Sequence, residues 1–315
     1  MSKLLVVFGA TGHQGSSVIN YVLNDPELSQ EYNIRAITRT TNSEKSQQLK
    51  EKKVEVVEGD VSNRASIEKA LTGAHTIFAM TTPSLGPSAL ETEYNHAKTI
   101  ADVAIEKGAK YIIFSTLPSV AKISGGKYTK VAHFDAKAKA EQYIRNLPIK
   151  SAFIALGFFM ENLLLMPFLA PQAAPDGNLV LSYPLSPETR FPMVDATEDT
   201  GKFVGAILSQ PDKYEGKTFY ASTRLYSLEE ITAIFSKVIG KTVIYKRIST
   251  EEFKQNLPFL ADAFTEGFSS IEEFGAFGPD TEDLVAWAAE NARGTLSTLE
   301  EFWKKNTVNS ILRPY

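Results

Sequence analysis

Three glycines carry the first chemical signal in the sequence. Gly9, Gly12 and Gly15, in Gly9-Ala10-Thr11-Gly12-His13-Gln14-Gly15, follow directly on the apolar run Leu4-Leu5-Val6-Val7-Phe8. Glycine lets the backbone approach a ligand because no Cβ intervenes. A helix opening on such a turn presents free N–H groups and the positive end of its dipole to an anion. The spacing is GxxGxxG rather than the GxGxxG of the common dehydrogenase fingerprint. Its context is nevertheless what a pyrophosphate-binding turn needs, a buried strand before it and an amphipathic helix after it. The turn, with Thr11, His13 and Gln14 inside it, is expected to cradle the pyrophosphate of a dinucleotide.

The residue at the end of the next strand selects the dinucleotide. An acid about twenty positions beyond the glycines would hold the adenosine ribose diol and signal NAD. Here Ile34-Arg35-Ala36-Ile37-Thr38 runs into Arg39-Thr40-Thr41-Asn42-Ser43, with no Asp or Glu. Arg39 offers a planar, permanently charged fork to a phosphate, and hydroxyls such as that of Thr40 add hydrogen bonds. The expected cofactor is therefore NADP(H). Asp60 and Val61, in Glu58-Gly59-Asp60-Val61, stand where such folds meet the adenine, unless Asp60 instead caps the helix that follows. Thr81 and Thr82, ahead of Pro83, are placed along the cofactor towards its nicotinamide half.

Holding these residues together requires a particular scaffold. Apolar, strand-like runs occur at 3–8, 34–38, 54–57, 76–80, 111–114 and 152–156. Helical patterns separate them, clearest at 91–107, where Tyr94, Ala97, Ala101 and Ala104 share one face. Alternation of this kind predicts right-handed βαβ units and a Rossmann-type, doubly wound parallel α/β sheet over residues 1–156. Beyond it, Pro167, Pro171, Pro175, Gly177, Pro184 and Pro187 forbid a long helix. A helix at 197–208 and a strand at 218–221 follow, so that the passage near 190–222 has the means to rejoin the sheet. Ser227 with Glu230, Ser249 with Glu252 and Ser297 with Glu300 read as capping boxes, and 242–247 as a strand. Residues 157–315 are thus expected to form a smaller, mostly helical lobe for substrate or partner.

Composition excludes several function classes. The 315 residues carry a formal net charge of −4 and no cysteine, so disulfides, thiolate metal sites and a cysteine nucleophile are ruled out. His13, His75, His96 and His133 are the four histidines, and no two have metal-ligand spacing. The densest basic stretch, 122–139, is broken by glycines and apolar residues, which argues against direct nucleic-acid binding. Met1 to Val7 is too short for a signal peptide and leads into the glycine turn. The apolar region 153–170 contains Glu161, Asn162 and Pro167 and is not a membrane span. A cytoplasmic or nuclear protein is expected.

The strings VVFGATGHQGSSV, HFDAKAKAEQYIR at 133–145, LGFFMENLL at 156–164 and PMVDATEDTG at 192–201, with the Arg39 turn, resemble the NmrA-like family. That family comprises atypical relatives of the short-chain dehydrogenases. Those dehydrogenases use a Tyr and a Lys four residues apart on one helix face, the lysine holding the nicotinamide ribose and lowering the phenol pKa. The resemblance puts Lys137 in the lysine position and His133 where the tyrosine would stand. His133 is then either a proton donor or a polar helix-start residue without chemical duty. Tyr128 lies too far upstream, and Ser115 at the end of the fifth strand is the available hydroxyl. The resemblance also places Phe159 and Asn162 near the nicotinamide.

Two functions follow from these residues. The missing tyrosine, together with Phe114-Ser115-Thr116-Leu117-Pro118-Ser119, which is similar to the regulatory branch of the family, implies a redox-sensing regulator acting through a protein partner. The alternative is an NADPH-dependent reductase of a quinone, an enone or a similar apolar electrophile. Its pocket would be lined from Phe158, Phe159, Phe168, Phe259, Phe264, Phe268, Phe274 and Phe277. A homodimer is left open.

Overall fold

The computed structural model describes residues 2–310. Seven parallel strands form its central sheet: β1 (Lys3–Val7), β2 (Tyr32–Thr38), β3 (Glu55–Glu58), β4 (Thr76–Ala79), β5 (Tyr111–Thr116), β6 (Lys150–Leu156) and β7 (Thr218–Ala221). Their spatial order is β7-β6-β5-β4-β1-β2-β3. The first six strands are those expected, with ends shifted by a residue or two.

Period-two alternation along the strands feeds two apolar layers. Leu5 and Val7 face one cluster with Val18, Ile19 and Val22 of helix α1 (His13–Asn24). Val6 and Phe8 face the other, with Ile67, Ile100, Ala104, Ala140 and Ile144. Helices α2 (Glu44–Glu51), α3 (Arg64–Ala70), α4 (Ala89–Glu106) and α5 (Ala132–Arg145) complete the windings. Ser43 caps α2 and Asn63 caps α3, each accepting a backbone N–H.

The passage after residue 156 returns to the sheet. β7 pairs in parallel with β6, Thr218 opposite Phe153. Helix α6 (Ala196–Ser209) packs on α1, where glycine is required: a Cβ on Gly205 would lie 2.2 Å from the Tyr21 ring. The order reverses at β1, which has β2 on one side and β4 on the other. A crevice at the carboxyl ends of the strands opens at such a switch point, and the glycine turn leaves β1 into it.

The remainder is helical but holds two three-stranded sheets, of which the sequence indicated only the strand Val243–Arg247. Arg190–Val194 runs between Phe158–Phe159 and Arg224–Ser227, and Leu179–Tyr183 between Gln172–Ala173 and Val243–Arg247. Their inward side chains, including Tyr183, Phe191 and Met193, join Phe253 and Phe268 of the flanking helices in a second core. The Ser227–Glu230 capping box is complete, and Ser249 caps the helix Thr250–Gln255. The third expected box is displaced by one residue. Thr298 and Glu301 bond reciprocally, while Ser297 bonds to Asp199, a buried carboxylate of α6. Glu300 pairs with Lys237 and Lys304 instead. No helix among the described residues is long and apolar enough to cross a membrane.

Candidate functional site

The glycine turn is tightly specified. Gly9 adopts φ +62°, and Gly15 packs so closely that a Cβ there would lie 2.3 Å from the Gly9 carbonyl oxygen. Gly12 is the N-cap of α1 and donates its N–H to that same oxygen at 2.9 Å. No side chain caps α1, and its first turn holds no acid. This helix end is therefore shaped to receive an anion, and an anionic pyrophosphate fits it.

Each neighbour of the turn ties it to another element. Gln14 Oε1 accepts from Ser115 Oγ at 2.7 Å, joining the turn to the end of β5. The Thr11 carbonyl accepts from Lys45 Nζ at 3.0 Å. Lys45, on α2 just past the Arg39 turn, is a cation that the sequence reading missed. His13 Nδ1 lies 2.8 Å from Thr197 Oγ1, whose single hydrogen goes to Glu161 Oε1 at 2.7 Å. Hence Nδ1 must be the donor in the His13–Thr197 bond. Glu161 is buried at the start of the second lobe and also accepts from the N–H groups of Ala196 and Thr197. It too was missed, because its partners are distant in sequence.

Arg39 is exposed beyond β2, and among the described residues no ion pair holds its guanidinium. Thr40 is exposed, and its carbonyl accepts from Ser46 Oγ at 2.6 Å, which shapes the turn. Asp60 accepts from the backbone N–H and hydroxyl of Ser62, which hold its carboxyl below the usual range, with a smaller contribution from the Arg39 charge. The alternative in which Asp60 caps α3 is corrected, since Asn63 does so. Val61 is half-buried against the sheet.

Lys137, in the lysine position, is buried, 6% exposed. Its Nζ donates to the carbonyl and hydroxyl oxygens of Thr81, each at 2.8 Å, and lies 2.8 Å from Glu93 Oε1. Burial pushes its ammonium pKa down, and Glu93 opposes that shift. Thr81 is buried beside it, whereas Thr82 is exposed. A sequence signal for Glu93 did exist: it is an acid on the buried stripe of α4 formed with Ala97, Ile100, Ala101 and Ala104.

His133 sits in the first turn of α5, one helical turn before Lys137 on the same face. Burial pushes its imidazole below the ordinary range, with Glu93 opposing. Tyr128 lies outside this geometry, its hydroxyl donating to Glu273 at 2.5 Å. Phe159 is half-buried in the strand Phe158–Phe159 beside Val194, and Asn162 opens the short helix Asn162–Leu165.

The carboxyl ends of the strands thus gather most of the expected residues. The glycine turn follows β1, Arg39 and Thr40 follow β2, Asp60 follows β3, Thr81 follows β4, Ser115 is the last residue but one of β5, and Phe159 and Asn162 come after β6. The phenylalanines divide. Phe268 and Phe277 are buried in separate cores, Phe158 packs against Phe191, and Phe274 edges Tyr128. Only Phe168, Phe259 and Phe264 form a trio that reaches the surface, with Phe259 48% exposed.

Residues 1–303 match the model of the NmrA-like family. An NmrA-like family domain-containing protein of Dictyostelium discoideum is 30% identical over 97% of this chain and 98% of its own length. An NmrA-like family domain-containing oxidoreductase of Cladobotryum sp., FrzB, is 31% identical over 84% of each chain. Among solved structures, NmrA, a negative transcriptional regulator in complex with NADP, aligns with a TM-score of 0.81 over 98% of each chain. At 21% identity, that likeness is one of fold.

Proposed function

The chain belongs to the NmrA-like family, and from this premise we propose that it binds NADP(H) and serves as a redox-sensing regulator of a protein partner. In this reading the uncapped end of α1, with Gly9, Thr11, Gly12, His13, Gln14 and Gly15, holds the pyrophosphate. Arg39 grips the 2′-phosphate with Lys45 nearby, and Thr40 adds a hydroxyl. Asp60 and Val61 border the adenine. Thr81, Thr82 and Lys137 follow the chain towards the nicotinamide ribose, and Phe159 and Asn162 close over the ring. The bound cofactor would supply a hydride-transfer couple. The protein's part is to bind it and to read its occupancy.

The observation that carries the regulatory reading is the missing proton relay. Carbonyl reduction needs an acid beside the lysine, and that helix position holds His133, whose burial favours the neutral ring. Tyr128 is committed to Glu273. A route for signalling is available through His13, Thr197 and Glu161, which join the glycine turn to the start of the second lobe.

The trio Phe168, Phe259 and Phe264 favours a second reading, reduction of a quinone, enone or similar flat apolar electrophile. One experiment separates the two. NADPH affinity is measured by calorimetry, and NADPH oxidation is then followed across a panel of quinones and enones. Binding without oxidation supports the regulator, and turnover replaces it with the reductase. Absence of NADPH binding overturns both.

A further inference from the structure

A carboxylate on the apolar face of a helix calls for a cause. Glu93 is 1% exposed on α4, with Oε1 accepting from the Thr81 hydroxyl at 2.8 Å and lying 2.8 Å from Lys137 Nζ. Its second oxygen, Oε2, is buried with no hydrogen-bond partner among the described residues. Lys137 has three N–H donors, and the two Thr81 oxygens and Glu93 occupy all three. In this arrangement the lysine has no donor left for a ribose hydroxyl. Buried ion pairs are poor stabilisers compared with apolar residues of the same volume. Stability alone therefore does not account for the pair.

We propose that Glu93 is the positioning residue for Lys137, anchoring its charged ammonium at the end of β4 so that one N–H can turn from Thr81 to the nicotinamide ribose. The inference rests on the NADP(H) reading of the cleft. The bond to the Thr81 hydroxyl is the one to yield, because that hydroxyl keeps Glu93 as its own acceptor. The open Oε2 provides the spare acceptor over which the ammonium swings without losing its counter-charge. The other titratable groups nearby are His133 and Asp135 on α5, and the Asp135 carboxylate is engaged by Ser119 and the Ala121 N–H.

The test compares wild type with Glu93→Gln, Lys137→Met and the double variant, from about pH 7 to about pH 10. Without Glu93 the buried ammonium loses its proton as pH rises. NADPH affinity of Glu93→Gln should then fall about tenfold per pH unit above the lowered pKa, while Lys137→Met and the double variant bind weakly without that slope. The cofactor-free protein gives an independent readout. A lysine whose pKa is lower folded than unfolded binds fewer protons in the native state, so its stability rises with pH. The melting temperature of Glu93→Gln should climb with pH more steeply than that of wild type, and the double variant should lose the climb.

Profiles of Glu93→Gln parallel to wild type would overturn the inference. If wild type does not bind NADPH, the functional reading falls and takes the ribose contact with it, while the cofactor-free melting profiles still decide whether Glu93 keeps Lys137 charged. Should Glu93→Gln fail to fold while the double variant folds, the stranded ammonium is the cause and the inference stands. If neither folds, Glu93→Asp, which keeps the charge, must retain the wild-type melting slope, and a steeper slope would overturn the inference.

Discussion

Gly15→Ala tests the phosphate turn, and the structure fixes how severe it should be. The added methyl would meet the Gly9 carbonyl oxygen at 2.3 Å, its carbon at 2.6 Å and the Ala10 Cα at 2.9 Å, all of them backbone atoms. Relief to ordinary contact requires more than an ångström of movement between α1 and the turn, with no flexible side chain to absorb it. Overpacking of this kind costs about 1–3 kcal/mol. For a chain of this size it should lower the melting temperature by about 2–4 °C per kcal/mol. The same movement pulls the first N–H groups of α1 away from a bound pyrophosphate, and loss of one charge-assisted bond is worth about 1.5–3 kcal/mol, or roughly 10- to 150-fold in affinity. Gly12→Ala is the internal control for packing alone, because within the protein its Cβ would meet only the Gly9 oxygen, at 3.4 Å. Thermal melting of both cofactor-free variants and NADPH calorimetry on Gly15→Ala decide the matter. Gly15→Ala melting and binding like wild type would refute the packing argument. A Gly12→Ala melting defect as large as that of Gly15→Ala would refute the distinction between the two sites.

Further outcomes can be stated more briefly. Arg39→Ala should weaken NADPH by about 1.5–3 kcal/mol while leaving NADH nearly unchanged, as loss of a phosphate-gripping guanidinium requires. Equal losses for both cofactors in paired titrations would remove Arg39 from that role. Lys137→Ala should weaken NADPH whether the protein regulates or reduces, and an unaltered dissociation constant would take Lys137 out of the site. Asp195, the N-cap of α6, has its carboxyl pushed up to about 6, chiefly by burial. A carboxyl pKa raised on folding means that the native state binds the extra proton. Its stabilising effect is complete below about pH 4 and is lost as pH rises through about 6. Asp195→Asn, which keeps an N-capping oxygen, should therefore melt higher than wild type above about pH 6 and match it at about pH 4. A constant offset across that range would contradict the assignment.

Legibility in the sequence followed the range of the interactions involved. The six expected strands and the glycine turn rest on local signals, apolar runs and glycines at fixed offsets, and the fold preserves them. Arg190–Val194 was hidden by Pro192 in its middle, a residue that argues against a strand unless neighbours supply the pairing. Phe158–Phe159 and Gln172–Ala173 are two residues each and have no period to detect. The displaced cap shows the limit most clearly. In Ser297-Thr298-Leu299-Glu300-Glu301 both Ser297-x-x-Glu300 and Thr298-x-x-Glu301 satisfy the pattern. The choice falls to Asp199, nearly a hundred residues away, which takes the Ser297 hydroxyl and N–H.

The same distinction bears on function, because the residues hidden from sequence reading are those that join the two parts of the molecule. Glu161 reaches Thr197 and, through it, His13 in the glycine turn. Glu266 takes the N–H groups of Thr129 and Lys130, just ahead of the helix that carries His133 and Lys137. Glu273 takes Tyr128 and Lys127 from the same segment. Each contact is a carboxylate on a side chain or N–H group, and several lie at the surface, where water can replace a lost partner at small cost. Such contacts can be exchanged singly, whereas apolar packing gives way as a block. In the regulatory reading proposed above, an anion settling at the end of α1 would disturb the His13–Thr197–Glu161 chain of hydrogen bonds, and cofactor occupancy would reach the start of the second lobe by that route.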